Sequence, residues 1–264
     1  MSKSTYCYSN KNRLNDGKNS KIVEDIKYIY EKNNGYYGYR RINSELKAMG
    51  YVVNHKKVKR LMSKLNLFGK TIKKRNKSYS SYKGTIGKVA DNIINRNFKC
   101  SAPNKKWTTD ITEFHIAGGK LYLSPILDMY NSEIISYVIS TAPKFAQVIT
   151  MIDMAFDKIP NNTGLIFHSD QGWQYQHKTY SNALKKKGII QSMSRKGNCL
   201  DNSIMENFFG VLKREMFYGH EDSFKSLYSL EQAIDEYIEY YNSKRIKMKL
   251  GGLSPYQFKT QAGY

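Results

Sequence analysis

"KKWTTDITEFHIAGGKLYLSPILDMY", Lys105 to Tyr130, is where the chain changes its period, and its reading decides the fold. Upstream, apolar residues recur three and four apart, as on one face of a helix. In "KKWTTDITEFHI" they alternate with polar ones, the pattern of a half-buried strand. A Gly118–Gly119 turn opens the second run, and "EIISYVIS" (Glu133–Ser140) is a third. Together they predict a three-stranded meander. Downstream, "KFAQVITMIDMAFDKI" has helical spacing at Phe145, Val148, Met151, Ile152, Ala155 and Phe156. "GLIFHSDQGWQY" (Gly164–Tyr175) begins as a strand, a helix follows around Lys178 to Lys187, and "IIQSMS" is a short strand. The loop "RKGNCLDN" leads into a helix from Ser203 to about Phe217, and "SLEQAIDEYIEYYN" is another. Strands then alternating with helices predict an α/β fold, a mixed sheet with helices on both faces.

Before the meander the chain reads differently. Residues 1–19 are polar, without periodicity, and are expected to be disordered. Ile22, Ile26, Ile29 and Tyr30 predict a helix with Ser20 as N-cap. "NNGYYG" breaks it. Ile42, Leu46 and Met49 predict a second helix with Gly50 just past its end. Asn54 caps a third, with Val58, Leu61, Met62 and Leu65 apolar and Lys56, Lys57, Lys59 and Arg60 on its other faces. Residues 20–68 therefore resemble a helix-turn-helix-like unit, with these cations and Arg40 and Arg41 as candidate DNA contacts. Residues 69–100 read as a basic linker whose Lys73, Lys74 and Arg75 would lie along phosphates. Residues 101–222 form the expected core, and 223–264 a C-terminal helical segment.

Charge points the same way. Lys and Arg number 43 against 22 acids, a net of +21 over 264 residues. Between Tyr51 and Cys100 there are fourteen cations and one acid, but from Ser101 to Thr150 the two are equal. A basic segment beside a neutral one suggests a polyanion-binding surface joined to a part with other work. Cys7, Cys100 and Cys199 lack paired spacing, which argues against a disulfide framework and a zinc site. No apolar run is long enough for a membrane span, and the basic N-terminus lacks the apolar stretch of a secretory signal. The expected compartment is the cytoplasm.

Three acids could do chemistry: Asp110 in the first strand, Asp170 at the end of the "IFHS" strand, and Glu206 in the first turn of "SIMENFFGVLKRE". The intervals are 59 and 35 residues. Each has a plainer reading: a solvent-facing strand residue, a turn former, and the Glu of a capping box with Ser203. Adjacent strands could nonetheless bring the two Asp together, and a helix packed on the sheet could add the Glu. Clustered carboxylates in so basic a protein suit hard divalent cations, which take oxygen ligands. Two such ions can serve phosphoryl transfer. Lys213, two turns beyond Glu206 on one face, could hold a phosphate. Arg195 and Lys196 are further candidate DNA contacts.

"WTTDITEF", "HSDQGWQY" and "GNCLDNSIMENFFGVLKRE" resemble the catalytic segments of the DDE transposases of bacterial insertion sequences, specifically the IS-three family. "GYYGYRRINSELKAMGYVVNHKKVKRLM" resembles the helix-turn-helix-like segment before the family's core, and "YYNSKRIKMKLGGLSPYQF" its C-terminal motif. The likeness spans about Ser20 to Lys259. It implies an RNase H-like, retroviral-integrase-like core with a five-stranded mixed sheet. It implies Asp110, Asp170 and Glu206 as ligands of two Mg²⁺ or Mn²⁺ ions, Asp110 bridging both. The implied reaction is hydrolysis at the 3′ end of an element strand, then attack of the freed 3′-OH on another phosphodiester, with no covalent enzyme–DNA intermediate. Element ends and target DNA are the implied partners, bound by a homo-oligomer in a bacterial, nucleoid-associated setting. Family members often carry an upstream reading frame with a helix-turn-helix and a leucine zipper, joined by frameshifting. This chain begins with its own Met, shows no heptad zipper and reads as the second-frame product. "KMKL" lacks the His often found before that Leu, whereas "LSP" keeps Ser254 as a cap and Pro255 at the helix start. His168 and Gln171 are expected to position DNA or a water beside the ions. Two rivals are an RNase H-like nuclease that cuts without joining and a non-catalytic DNA-binding regulator.

Overall fold

The structure, a computed structural model, describes residues 19–70 and 88–264. Lys73, Lys74 and Arg75 lie outside the described residues. The chain divides into two compact units, Met1–Thr71 with Lys247–Gly252, and Ile72–Ile246 with Leu253–Tyr264.

The smaller unit contains α1 (Ser20–Lys32), α2 (Tyr39–Ala48) and α3 (His55–Lys64). The helical spacing closes its core, because Ile22, Ile26, Ile29, Ile42, Leu46, Val58, Leu61 and Met62 are all buried. Asn54 caps α3 as anticipated, accepting from the Lys56 N–H at 2.8 Å. Two details differ. Ser20 is the first residue of α1, with Asn19 at the cap position. Met49 follows the end of α2 and is half exposed, since the helix stops before its face turns inward. The Tyr30 hydroxyl donates to the Phe68 carbonyl at 2.7 Å, and the Asn43 amide to the Val53 carbonyl at 3.1 Å. Residues 247–252 join this unit through a 3₁₀ turn with Leu250 buried. Gly252 has φ +86°, and a Cβ there would lie 1.9 Å from Ser44 Oγ, so only glycine fits.

The larger unit is built on β1 (Lys106–Thr109), β2 (Thr112–Ile116), β3 (Gly119–Asp128), β4 (Ile134–Ser140), β5 (Ile166–Ser169) and β6 (Ile190–Met193). β3 lies between β4 on one side and β1 and β2 on the other, all antiparallel; β1 then pairs in parallel with β5, and β5 with β6. The six segments make five courses. β1 and β2 keep one register against β3, with Thr109 opposite Ile126 and Thr112 opposite Leu123. The expected first strand is thus real but broken at Asp110 and Ile111. In the shared register Asp110 falls opposite Pro125, which has no N–H for a ladder. At the break the Ile111 N–H donates to Asp110 Oδ1 at 2.7 Å.

Helices cover both faces, as the α/β order predicts. On one, Trp107 and Phe167 pack with α4 (Phe145–Phe156) and α6 (Lys178–Lys187), beyond the short α5 (Trp173–Gln176). On the other, Phe114, Leu123 and Leu127 meet α7 (Ser203–Leu212) and α8 (Leu227–Ser243). The face of α8 formed by Leu230, Ile234, Tyr237, Ile238 and Tyr241 is buried there. α9 (Pro255–Gln261) starts with Pro255 and Ser254 as its cap, as anticipated, and Gln257 completes a capping box. Among the described residues no helix is long and apolar enough to cross a membrane.

Candidate active site

Asp110 and Asp170 arrive side by side. Thr108 pairs with His168 across β1 and β5, and in that parallel register Asp110 is level with Asp170 one residue beyond each strand end. Sheet alternation sends Trp107 and Phe167 into the core under α4 and Thr108 toward α7. Continued two residues, it aims both carboxylates at the α7 face. Asp170 also shapes its turn: its Oδ1 accepts the Gly172 N–H at 2.9 Å. The plain reading and the catalytic one therefore hold together for this residue.

The pair is electrostatically costly. Burial raises the Asp110 carboxyl well above the usual range; Asp170 and then Glu206 push it further, against the Ile111 N–H and Lys213. Burial likewise raises Asp170, opposed by the Gly172 N–H. Two such groups favour a protonated state, or a cation between them.

Glu206 lies on α7 and Lys213 just past its end. Asn202, not Ser203, occupies the cap position, so the capping-box reading of Glu206 is set aside: Ser203 is already helical. Glu206 is exposed in the first turn and, like Lys213, acts on the charge of Asp110. The expected helix continues to Phe217 but changes at Lys213 into a π-helical turn, Lys213–Phe217. Such turns are rare and recur at functional sites. Lys213 Nζ donates to the Glu113 carbonyl at 2.7 Å and stands 5.1 Å above the Phe114 ring. Nearby, a groove of about 770 Å³ runs between the β2–β3 turn and residues 217–225.

His168 and Gln171 correct an expectation. His168 is fully buried, its ring nitrogens 2.9 Å from Ser192 Oγ and 3.1 Å from Ser194 Oγ. Burial pushes its imidazole down to about 4, so it is neutral and faces β6 rather than DNA. Gln171 Nε2 donates to the Ser194 carbonyl at 3.0 Å. Both hold the β5 end to the segment after β6.

Two residues that the sequence did not single out organise the approach to α7. Asp201, 1% exposed, accepts from Arg195 Nε and Nη2, Arg96 Nε and Asn92 Nδ2 at 2.8–2.9 Å. Arg195, expected on phosphate, thus has its guanidinium on Asp201. Asn202 bonds β1, its Oδ1 accepting from the Thr108 hydroxyl at 2.6 Å and its Nδ2 donating to the Thr109 carbonyl at 3.3 Å. The adjacent Asp-Asn of "CLDN" was the available signal, but it reads equally as a turn.

The remaining candidate DNA contacts are spread. Lys196 is exposed. In the smaller unit Lys56, Lys59, Arg60 and Arg40 are exposed; Lys57 and Arg41 are partly covered. Arg40 and Lys59 flank the Tyr39 ring at 5.8 and 5.7 Å, and that ring stacks on His55.

The donor chemistry fits a divalent cation. Asp110 and Asp170 offer only oxygen, at a place where negative charge is penalised, which matches the preference of Mg²⁺ for a few carboxylates plus water and phosphate. Among the described residues no three His, Cys, Asp or Glu side chains form a ready cage for an ion. Glu206 acts on the Asp110 carboxyl through charge and closes no such set with the two Asp.

A mixed sheet, two acids on neighbouring strand ends and an acid-bearing helix across them define an integrase-type core. The Integrase core domain family matches residues 101–199, a second family of that description matches 206–262, and an HTH-like domain matches 18–75. The chain is 48% identical over 259 residues to a putative transposase, InsK, of insertion sequence element IS150 in Escherichia coli, covering 98% of this chain and 90% of that one. It is 52% identical to an uncharacterized transposase-like protein of Haemophilus influenzae, over 80% and 94%. Transposase InsF of IS3A in Escherichia coli is 34% identical, over 85% and 77%. A chain of the simian T-cell lymphotropic virus intasome, solved with PP2A regulatory subunit B56 gamma, shares the fold, with a TM-score of 0.52 at 13% identity over 89% of this chain and 74% of that one. The chain belongs to the insertion-sequence transposases of the IS3 family.

Proposed function

We propose that this transposase cuts and joins DNA with Asp110, Asp170 and Glu206 as its catalytic residues and the ligands of two Mg²⁺ or Mn²⁺ ions. The observation that carries the reading is the β1–β5 register, which sets Asp110 level with Asp170 on the α7 face. Bound divalent ions would supply Lewis acidity to the phosphate and lower the pKa of the attacking oxygen. The carboxylates hold and orient; Lys213 offsets negative charge that phosphate brings. In the first step water forms a bond to phosphorus and the bond to the 3′ oxygen of the element strand breaks, leaving a 3′-OH. In the second that hydroxyl attacks another phosphodiester, and the displaced oxygen leaves with a proton. Phosphate is transferred directly, with no protein nucleophile.

Element ends and target DNA are the proposed partners. The helical unit of residues 20–68 would grip the phosphate backbone through Arg40, Arg41, Lys56, Lys57, Lys59 and Arg60, with Lys73, Lys74, Arg75, Lys196 and Lys213 adding contacts. Joining two ends calls for a multimer on DNA. The test is a strand-transfer assay on element-end DNA with Mg²⁺ or Mn²⁺. Asp110→Asn, Asp170→Asn and Glu206→Gln are each expected to abolish cutting and joining while DNA binding persists. Full activity in any one removes that residue from the site. Cut products without joined ones would favour a nuclease, and salt-sensitive binding without chemistry a regulator.

A further inference from the structure

We infer that Asn202 is the positioning residue that fixes the acid of α7 against the acids of the sheet; the inference rests on the site proposed above. Asp110 and Glu206 come from segments 96 residues apart, so something must set their separation. Asp110 itself lies at the break between β1 and β2, outside the paired register with β3. The last fixed points before it are Thr108 and Thr109, and one side chain holds both. Asn202 accepts the Thr108 hydroxyl at 2.6 Å and donates to the Thr109 carbonyl at 3.3 Å. Asn202 is 5% exposed and Thr108 is fully buried, so neither bond is exchanged for water at low cost.

Asn202 is also the cap residue of α7, four positions ahead of Glu206. Its neighbour Asp201 is held by Arg195 and Arg96, which leaves the start of the helix little freedom to slide. A two-point amide contact specifies both distance and rotation, where one bond would specify distance alone. Groups that orient metal ligands without touching the ion commonly change metal affinity by about 10–100-fold when removed.

The experiment titrates full-length protein with Mn²⁺ and follows the metal-induced rise in Tm, alongside strand-transfer kinetics. Asn202→Ala and Thr108→Val are expected to move the Mn²⁺ midpoint up by about tenfold or more. They should lower kcat with DNA affinity unchanged. Thr108→Ser keeps the hydroxyl and should behave as the parent. Val is close to Thr in size, so the Thr108 pair remains informative if Asn202→Ala fails to fold. Midpoints unmoved in both Asn202→Ala and Thr108→Val, with activity lost only in step with Tm, would overturn the inference. Asp110→Asn is the control for the site itself: a parental Mn²⁺ response there would remove the site reading and this inference with it.

Discussion

Arg245 closes on Glu215 with two nitrogens, Nη2 to Oε1 at 2.5 Å and Nε to Oε2 at 2.7 Å, and its side chain is only 3% exposed. The Tyr237 hydroxyl donates to the same carboxylate at 2.8 Å. Glu215 lies in the π-helical turn that begins at Lys213, so Tyr237 of α8 and Arg245 just beyond its end brace that turn. Removing one partner of such a pair strands the other charge. Arg245→Ala is therefore expected to cost about 3–5 kcal/mol, whereas Arg245→Met with Glu215→Leu should recover most of it. Urea unfolding of the two variants checks this; equal losses in both would argue against a buried, interdependent pair.

Asp201 should govern the acid limb of stability. The Arg195 guanidinium first, then the Arg195 N–H and Arg96, hold its carboxyl well below the usual range. A carboxylate depressed on folding contributes stability that is present above about pH 4 and is lost as pH falls further. Asp201→Asn should thus be less stable than the parent at pH 7, with the difference narrowing as pH drops below 4. Tm against pH for the two proteins reads it directly.

The paired acids predict a stability gain on losing one. Asp110 is penalised by burial and by Asp170, so without divalent ions Asp110→Asn should melt above the parent at pH 7. Adding Mg²⁺ or Mn²⁺ should raise the parent and leave the variant nearly unmoved. A variant that melts lower without metal would mean that Asp110 contributes more by bonding the Ile111 N–H than it costs by charge.

Two glycines should respond differently to alanine. A Cβ on Gly172 would meet Gln174 Nε2 at 2.6 Å and Asp170 Oδ1 at 3.0 Å, both side-chain atoms able to move. Gly172→Ala should fold with a loss below about 1 kcal/mol and lower turnover by displacing Asp170. Gly188 ends α6 at φ +75°, and a Cβ there would meet the Asn162 backbone at 2.6 Å. Gly188→Ala should cost about 2–4 kcal/mol, from strain and overlap together, and change turnover only through the folded fraction. Denaturant midpoints and strand-transfer rates, taken together, separate the two.

Local pattern carried much of this architecture. Three helices, the meander and the order of the larger unit follow from periods of 3.6 and 2, since each element answers to residues within a few positions of itself. The Asp and Glu intervals made a strand-end acid at Asp170 meaningful. What stayed hidden depends on partners far along the chain. Asp110 reads as an ordinary strand residue until Pro125 is set across from it. Arg195 reads as a free cation until Asp201 is found buried beside Arg96, 105 residues away in sequence. Ser203 and Glu206 spell a capping box, but Asn202 takes the cap position and bonds Thr108. His168 looks poised for DNA until β6 covers it. In each case a tertiary contact decides what the local pattern leaves open.

The return of Lys247–Gly252 to the smaller unit alters what a cut in the chain can do. The polypeptide leaves that unit after residue 71, comes back for six residues and leaves again. A single nick between residues 71 and 246 cuts the covalent link but leaves the 247–252 strip packed in the smaller unit. The 247–252 strip, seated where Gly252 meets Ser44, stays covalently joined to α9. A nicked molecule should elute as one particle under native conditions and split only when denatured.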